Sequence, residues 1–151
     1  MSWYAKVSKD ITHLPACLDH FYLEIDQARK EVKVYGLIEK QSAMLPGIVE
    51  YRFNQLQEIE AILEYLNIEL RRIRSKAFKK YLENYARTLS SRDCEKYSDG
   101  EPDVIDMEKI INEFAMLRNK WLGIIKGLDI KGYQINNIIK LRTAGLEDIS
   151  L

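Results

Sequence analysis

The chain has 151 residues, with 46% hydrophobic and 30% charged side chains, and its 23 basic residues are matched by 23 acidic ones. That length suits one domain, or one compact unit carrying an extended element. No run approaches the ~18 apolar residues of a membrane span, and the N-terminal MSWYAKVSKDITHLP lacks the apolar core of a secretory signal.

Seven glycines and three prolines favour long helices over many short strands and turns. Cys17 and Cys94 are far apart and without CxxC spacing, so they read as reduced thiols of a soluble, intracellular protein.

In chain order, the first apolar series is Leu14, Leu18, Phe21, Ile25, Ala28, Val32, Tyr35. Its three- and four-residue steps predict a helix, with Pro15 in the first turn and Gly36 at the end. A second series, Leu56, Ile59, Leu63, Leu66, Leu70, Ile73, Ala77, predicts a helix starting at Pro46-Gly47. No further Gly or Pro occurs until Gly100. Continuous from Ile48 to Leu89, that helix would span about 63 Å at ~1.5 Å per residue. A domain of this size is only about 40 Å across, so the helix is expected to project, bend or pack against other copies.

The polar stretch SSRDCEKYSDGEPDVID, with Gly100 and Pro102, predicts a loop, and Asp103 or Asp106 suits the cap of the next helix. The third series is Met107, Ile110, Phe114, Leu117, Trp121, Ile124, Leu128. A shorter fourth helix is expected at Tyr133, Ile135, Ile138, Ile139 and Leu141, ended by Ala144-Gly145 ahead of a loose tail, LEDISL. The fold expected is all-α: long helices with heptad-like seams in a bundle that assembles into a homo-oligomer. The organisation is an N-terminal helix region at 1–45, a long basic helix at 46–92, an acidic loop at 93–105 and a C-terminal helical oligomerisation region at 106–151. Together these form one structural unit.

The densest charge lies in LRRIRSKAFKKYLENYAR, residues 70–87, which holds Arg71, Arg72, Arg74, Lys76, Lys79, Lys80 and Arg87 against Glu83 alone. On a helical wheel Leu70, Ala77, Phe78, Tyr81, Leu82 and Tyr85 share the apolar side. Arg72, Lys76, Lys79, Lys80 and Arg87 cluster within about 100° opposite, with Arg71 and Arg74 at the margins. Arg72, Lys76 and Lys80 repel at i,i+4, a spacing at which a generic exposed face mixes signs. Three readings are open: a phosphate track, a solvated face, or a surface for an acidic protein. Five contacts to single-stranded nucleic acid would give a log–log salt slope of roughly −3.5, about 100-fold weaker binding for fourfold more salt. Phe78, Tyr81 and Tyr85 have the shape of base-stacking platforms, but their wheel position favours packing.

Other chemistry is poorly represented. The acidic run Asp93, Glu95, Asp99, Glu101, Asp103, Asp106, Glu108 lacks the ligand register of a calcium loop and reads as a counterweight to the basic helix. His13 and His20 fit no zinc spacing, no third group completes a Cys–His pair, and there is no glycine-rich phosphate loop. An enzyme is not expected, and neither metal nor cofactor is implied.

The segment VIDMEKIINEFAMLRNKWLGIIKGLDIKGYQINNIIKLRTAGLED resembles the UvsY family of recombination mediators from T-even-like phages. The likeness lies in an aromatic-centred helix around Trp121, the Lys131-Gly132-Tyr133 turn, the isoleucine-rich run from Ile135 to Ile139, and Arg142 before Ala144-Gly145. It covers about 45 residues and extends more loosely into the basic helix. There the family's Lys-x-Arg element has no identical copy; the nearest counterparts are Arg74-Ser75-Lys76 and Lys79-Lys80.

The resemblance implies a non-enzymatic protein of the infected bacterial host's cytoplasm that serves phage recombination, repair and replication. Such a protein binds single-stranded DNA, here through the cations of 70–87. It forms a ring, hexamer or heptamer, here through Phe114, Leu117, Trp121, Ile124, Leu128, Tyr133, Ile135, Ile138 and Ile139. Its further partners are a RecA-like recombinase and the phage single-strand-binding protein, and no membrane is involved. The competing expectation is a coiled-coil adaptor of phage assembly that binds protein alone.

Overall fold

The computed structural model describes residues 1–84 and 88–145. They are all-α, with no strand among them. The helices are α1 (Trp3–Lys9), α2 (Leu14–Val32), α3 (Ile38–Asn84), α4 (Ser91–Asp99) and α5 (Pro102–Thr143), with a single 3-10 turn at Ile11–His13. None of them is long and apolar enough to cross a membrane. The chain divides into two compact units, one from Met1–Ile59 and Leu117–Leu151 and one from Glu60–Met116, so α3 and α5 contribute residues to both.

In the first unit, Ser2 caps α1 by accepting from the Ala5 amide, and Asp10 caps the 3-10 turn by accepting from Thr12. The Tyr4 amide donates to Glu58 of α3 at 3.0 Å. Leu14, Cys17, Phe21, Ile25 and Ala28 are the buried face of α2, and Pro15 sits in its first turn as expected. Gly36, at φ +70°, takes the left-handed conformation that reverses the chain after α2. Phe21 meets Trp121 edge-on at 6.3 Å between centroids, and both rings are fully buried. Each such side chain contributes up to about 3 kcal/mol of transfer free energy.

Two corrections concern breakers. Helix α3 begins at Ile38, not at Pro46, which lies inside it. Proline has no N–H to return to the Ser42 carbonyl, at a cost of about 3 kcal/mol in a helix interior. The turns ahead of it hold because Ile38 is buried with Ile135 and Ile138, and Val34 and Leu45 pack against that cluster. Similarly, the expected third and fourth helices are one helix, α5, running unbroken through Gly123, Gly127 and Gly132. Gly127 is where Val32 approaches: a Cβ there would stand 2.8 Å from the Val32 methyl. The expected end at Ala144-Gly145 matches, with Gly145 at φ +75°.

In the second unit, Ile62, Leu63, Leu66, Leu70 and Ala77 of α3 are buried, as are Val104, Met107 and Phe114 of α5. The expected acidic loop at 93–105 is largely helical, because α4 occupies most of it and α5 has already begun at Pro102. Ser90 caps α4, accepting from the Asp93 amide and donating its hydroxyl to the Asp93 carboxylate at 2.7 Å. Asp103 lies within the first turn of α5, not at its cap, and Pro102 suits the first helical position. The described part of α3 stops at Asn84, and Thr88 and Leu89, expected in this helix, are not helical.

Candidate nucleic-acid interface

The cationic residues of α3 divide into paired and unpaired sets. Arg71 faces Glu64 at 3.6 Å, and Arg72 holds Glu69 one turn back at 2.6 Å. Arg74 pairs with Glu108 of α5 and lies 3.4 Å from Asp99 at the end of α4. Lys80 Nζ donates to Glu101 at 3.1 Å. Lys76 and Lys79 are exposed and have no ion-pair partner among the described residues. Arg87 and Tyr85 lie outside the described residues.

Arg72, Lys76, Lys79 and Lys80 line one open groove of about 490 Å³, whose acidic members are Glu83, Glu101 and Asp103. Ile73 and Ala77 form its apolar floor. Cations spaced along one helix face, reachable from solvent, suit a flexible polyanion that can follow the helix.

The aromatic residues of the stretch are engaged inside the chain. Tyr81 stacks on Tyr97 of α4, 5.3 Å between centroids and 26° between planes, and Lys80 Nζ lies 5.4 Å from the Tyr81 ring. The Tyr81 hydroxyl donates to Glu101; with the Lys80 ammonium it holds that carboxyl below the usual carboxylate range. Phe78, half-buried, lines a second cleft of about 420 Å³ with Arg74, Ser75, Glu95, Ser98 and Asp99.

The residues expected to join subunits are mostly used within the chain itself. Leu117, Trp121, Ile124, Leu128, Ile135 and Ile138 are buried in the first unit, and Phe114 is buried in the second. Tyr133 and Ile139 remain outward, 73% and 43% exposed. Tyr133 stands at the edge of an apolar groove of about 930 Å³ that includes Leu45, Pro46, Val49 and Phe53 of α3.

A buried polar network in the first unit escaped the sequence reading. Arg52, 1% exposed, donates from Nε and Nη2 to Glu31 at 2.7 and 2.8 Å, and from Nη1 to Glu24 and Gln55 at 2.7 and 2.8 Å. Its guanidinium lies 5.6 Å from the Trp121 ring. Burial alone would lower the Arg52 pKa, but hydrogen bonds and charge from Glu31 and Glu24 raise it. Partial burial likewise pushes the Glu24 carboxyl up, and hydrogen bonds from Gln55 and Arg52 together with the Arg52 charge outweigh it and hold Glu24 low.

Nearby, Lys131 is buried and donates to the Glu31 carbonyl at 2.7 Å and to Gln41 at 2.6 Å. The first of these bonds satisfies an orphan carbonyl at the C-terminus of α2. Arg52 and Lys131 both continue the three- and four-residue steps of their helices: 52, 56, 59 on α3 and 128, 131, 135 on α5. That spacing was the signal available in the sequence.

Burial, with the Glu58 charge nearby, pushes the Cys17 thiol up to about 12, so it stays protonated at neutral pH. Among the described residues, no three His, Cys, Asp or Glu side chains converge as metal ligands would.

No family model, curated protein or solved structure matches this chain.

Proposed function

We propose that this chain binds single-stranded DNA along the basic face of α3 and works, without chemistry of its own, as a recombination mediator that helps load a RecA-like recombinase. The observation that carries the DNA-binding part is the groove in which Lys76 and Lys79, without an ion-pair partner among the described residues, stand with Arg72 and Lys80. Four phosphate contacts there correspond to a log–log salt slope of about −2.8 for a single strand. The mediator role, exchange with the phage single-strand-binding protein and a ring-shaped homo-oligomer rest on the C-terminal resemblance to UvsY-like proteins. In such a ring, weak sites on linked subunits act together and raise the effective concentration of each. With most of the expected seam residues of α5 already buried, the contacts between copies use its outward residues, Tyr133 and Ile139 among them.

A second reading is an adaptor that binds protein alone. It is favoured by the ion pairs of Arg71, Arg72, Arg74 and Lys80, which neutralise much of the charge that the sequence concentrates in this helix. Fluorescence anisotropy with a labelled oligothymidylate separates the two. Binding at low salt that weakens with the slope above supports the mediator; absence of binding at low salt leaves the adaptor.

A further inference from the structure

We propose that the α4–α5 corner is a built-in competitor for the DNA site, with the Glu101 carboxylate taking the place of a phosphate on Lys80 and the Tyr97 ring the place of a base on Tyr81. The inference rests on the DNA-binding reading of the groove. Three contacts meet at this corner. Glu101 accepts from Lys80 Nζ at 3.1 Å, Asp99 lies 3.4 Å from Arg74 Nε, and Tyr97 stacks on Tyr81 at 5.3 Å. A carboxylate on a lysine beside a ring on a tyrosine has the two elements of a nucleotide step, an anion and a π-face, in adjacent positions. The groove cation beside Tyr81 is thus taken by the chain's own acid, while Lys76 and Lys79 are left for an incoming strand.

The corner is also lightly held. Helix α4 has nine residues and buries only Cys94 and Ser98, and it meets α5 through Gly100 and Glu101. An element with so little apolar burial opens at low free-energy cost. A strand that engages Lys76 and Lys79 first can therefore displace Glu101 and Tyr97 and extend its contact to Lys80 and Tyr81. Short or weakly charged ligands would not complete that exchange. The carboxylates thereby set a threshold that favours long single strands.

The test uses the full-length chain, a fluorescein-labelled oligothymidylate and anisotropy over a salt series. Glu101→Gln frees Lys80 of the groove, and Asp99→Asn, which leaves Arg74 on Glu108 outside the groove, is its control. Glu101→Gln is expected to raise low-salt affinity about three- to tenfold with the slope still near −2.8, because Lys80 is already one of the four contacts made once Glu101 is displaced. Asp99→Asn is expected to change neither. Tyr97→Ala is expected to raise affinity about fivefold at every salt concentration with the slope unchanged, because stacking releases no counterions. Glu101→Gln is an isosteric change and guards against loss of α4, with helical content followed by circular dichroism. Wild type that binds, beside a Glu101→Gln variant of equal or lower affinity, overturns the competitor and leaves the DNA site standing. Failure of wild type and variants alike to bind at low salt overturns both.

Discussion

Truncating Arg52 to alanine should strongly destabilise the first unit. The guanidinium is 1% exposed and makes four hydrogen bonds, three of them to the carboxylates of Glu24 and Glu31. Breaking one partner of a buried ion pair costs about 3–5 kcal/mol, because the charge left behind has lost both water and its counterion. Glu24 and Glu31 keep 27% and 18% of their side-chain surface, so water partly replaces the guanidinium and the low end, about 3 kcal/mol, applies. For a chain of 151 residues this corresponds to a fall in Tm of roughly 6–12 °C.

Thermal unfolding followed by circular dichroism and by tryptophan emission measures it, since Trp121 lies under the guanidinium. Arg52→Met keeps the apolar stem and should lose nearly as much, which assigns the cost to the charges rather than to a cavity. Adding Glu24→Gln and Glu31→Gln to Arg52→Met should then recover most of the loss, because no uncompensated charge remains. Arg52→Met within 0.5 kcal/mol of wild type, a ~0.5 kcal/mol surface-mutation effect, would refute the reasoning. So would a triple variant no more stable than Arg52→Met.

Other predictions follow from the same geometry. Gly127→Ala forces a Cβ to 2.8 Å from the Val32 methyl and should destabilise by about 1 kcal/mol net, despite the better helix propensity of alanine. Gly123→Ala, with open space around it, should instead stabilise by about 0.5–1 kcal/mol; urea titration of both reads the contrast, and equal signs would contradict the packing assigned to Gly127. Glu24 is held below its ordinary value in the fold, so its contribution is complete above that value and lost as pH falls through the lower folded one. Glu24→Gln should accordingly flatten the acid limb of a stability–pH curve, and an unaltered limb would remove Glu24 from the network. Tyr133→Asp with Ile139→Asp should lower the native mass while helical content is kept, whereas Ile124→Asp, at a buried position, should unfold the first unit. A native mass unchanged by the first pair would exclude that face of α5 from assembly.

The helical character was legible because burial in long helices imposes three- and four-residue steps that a single sequence displays. Leu56 to Ala77 and Met107 to Leu128 are examples. The boundaries were less so, because distant packing decided them. Pro46 read locally as a helix start and Lys131-Gly132-Tyr133 as a turn, yet the cluster of Ile38 with Ile135 and Ile138 carries both helices through. Helix α4 was concealed by its polarity, although Ser90 three residues before Asp93 spells a capping signal.

Arg52 and Lys131 occupy buried steps but are charged, so the apolar pattern passed over them. The basic stripe was visible as charge. The acidic run was legible as its counterweight, and Asp99, Glu108 and Glu101 do pair with Arg74 and Lys80; which acid meets which cation is decided only by folding.

The salt dependence of single-strand binding tests the central claim most directly. Anisotropy of a labelled oligothymidylate should give wild type a log–log slope near −2.8, and Lys76→Ala with Lys79→Ala a slope near −1.4 with weaker binding at every salt concentration. No binding by wild type at low salt, or a slope that the double substitution leaves unchanged, would contradict the assignment of the α3 groove as a DNA track.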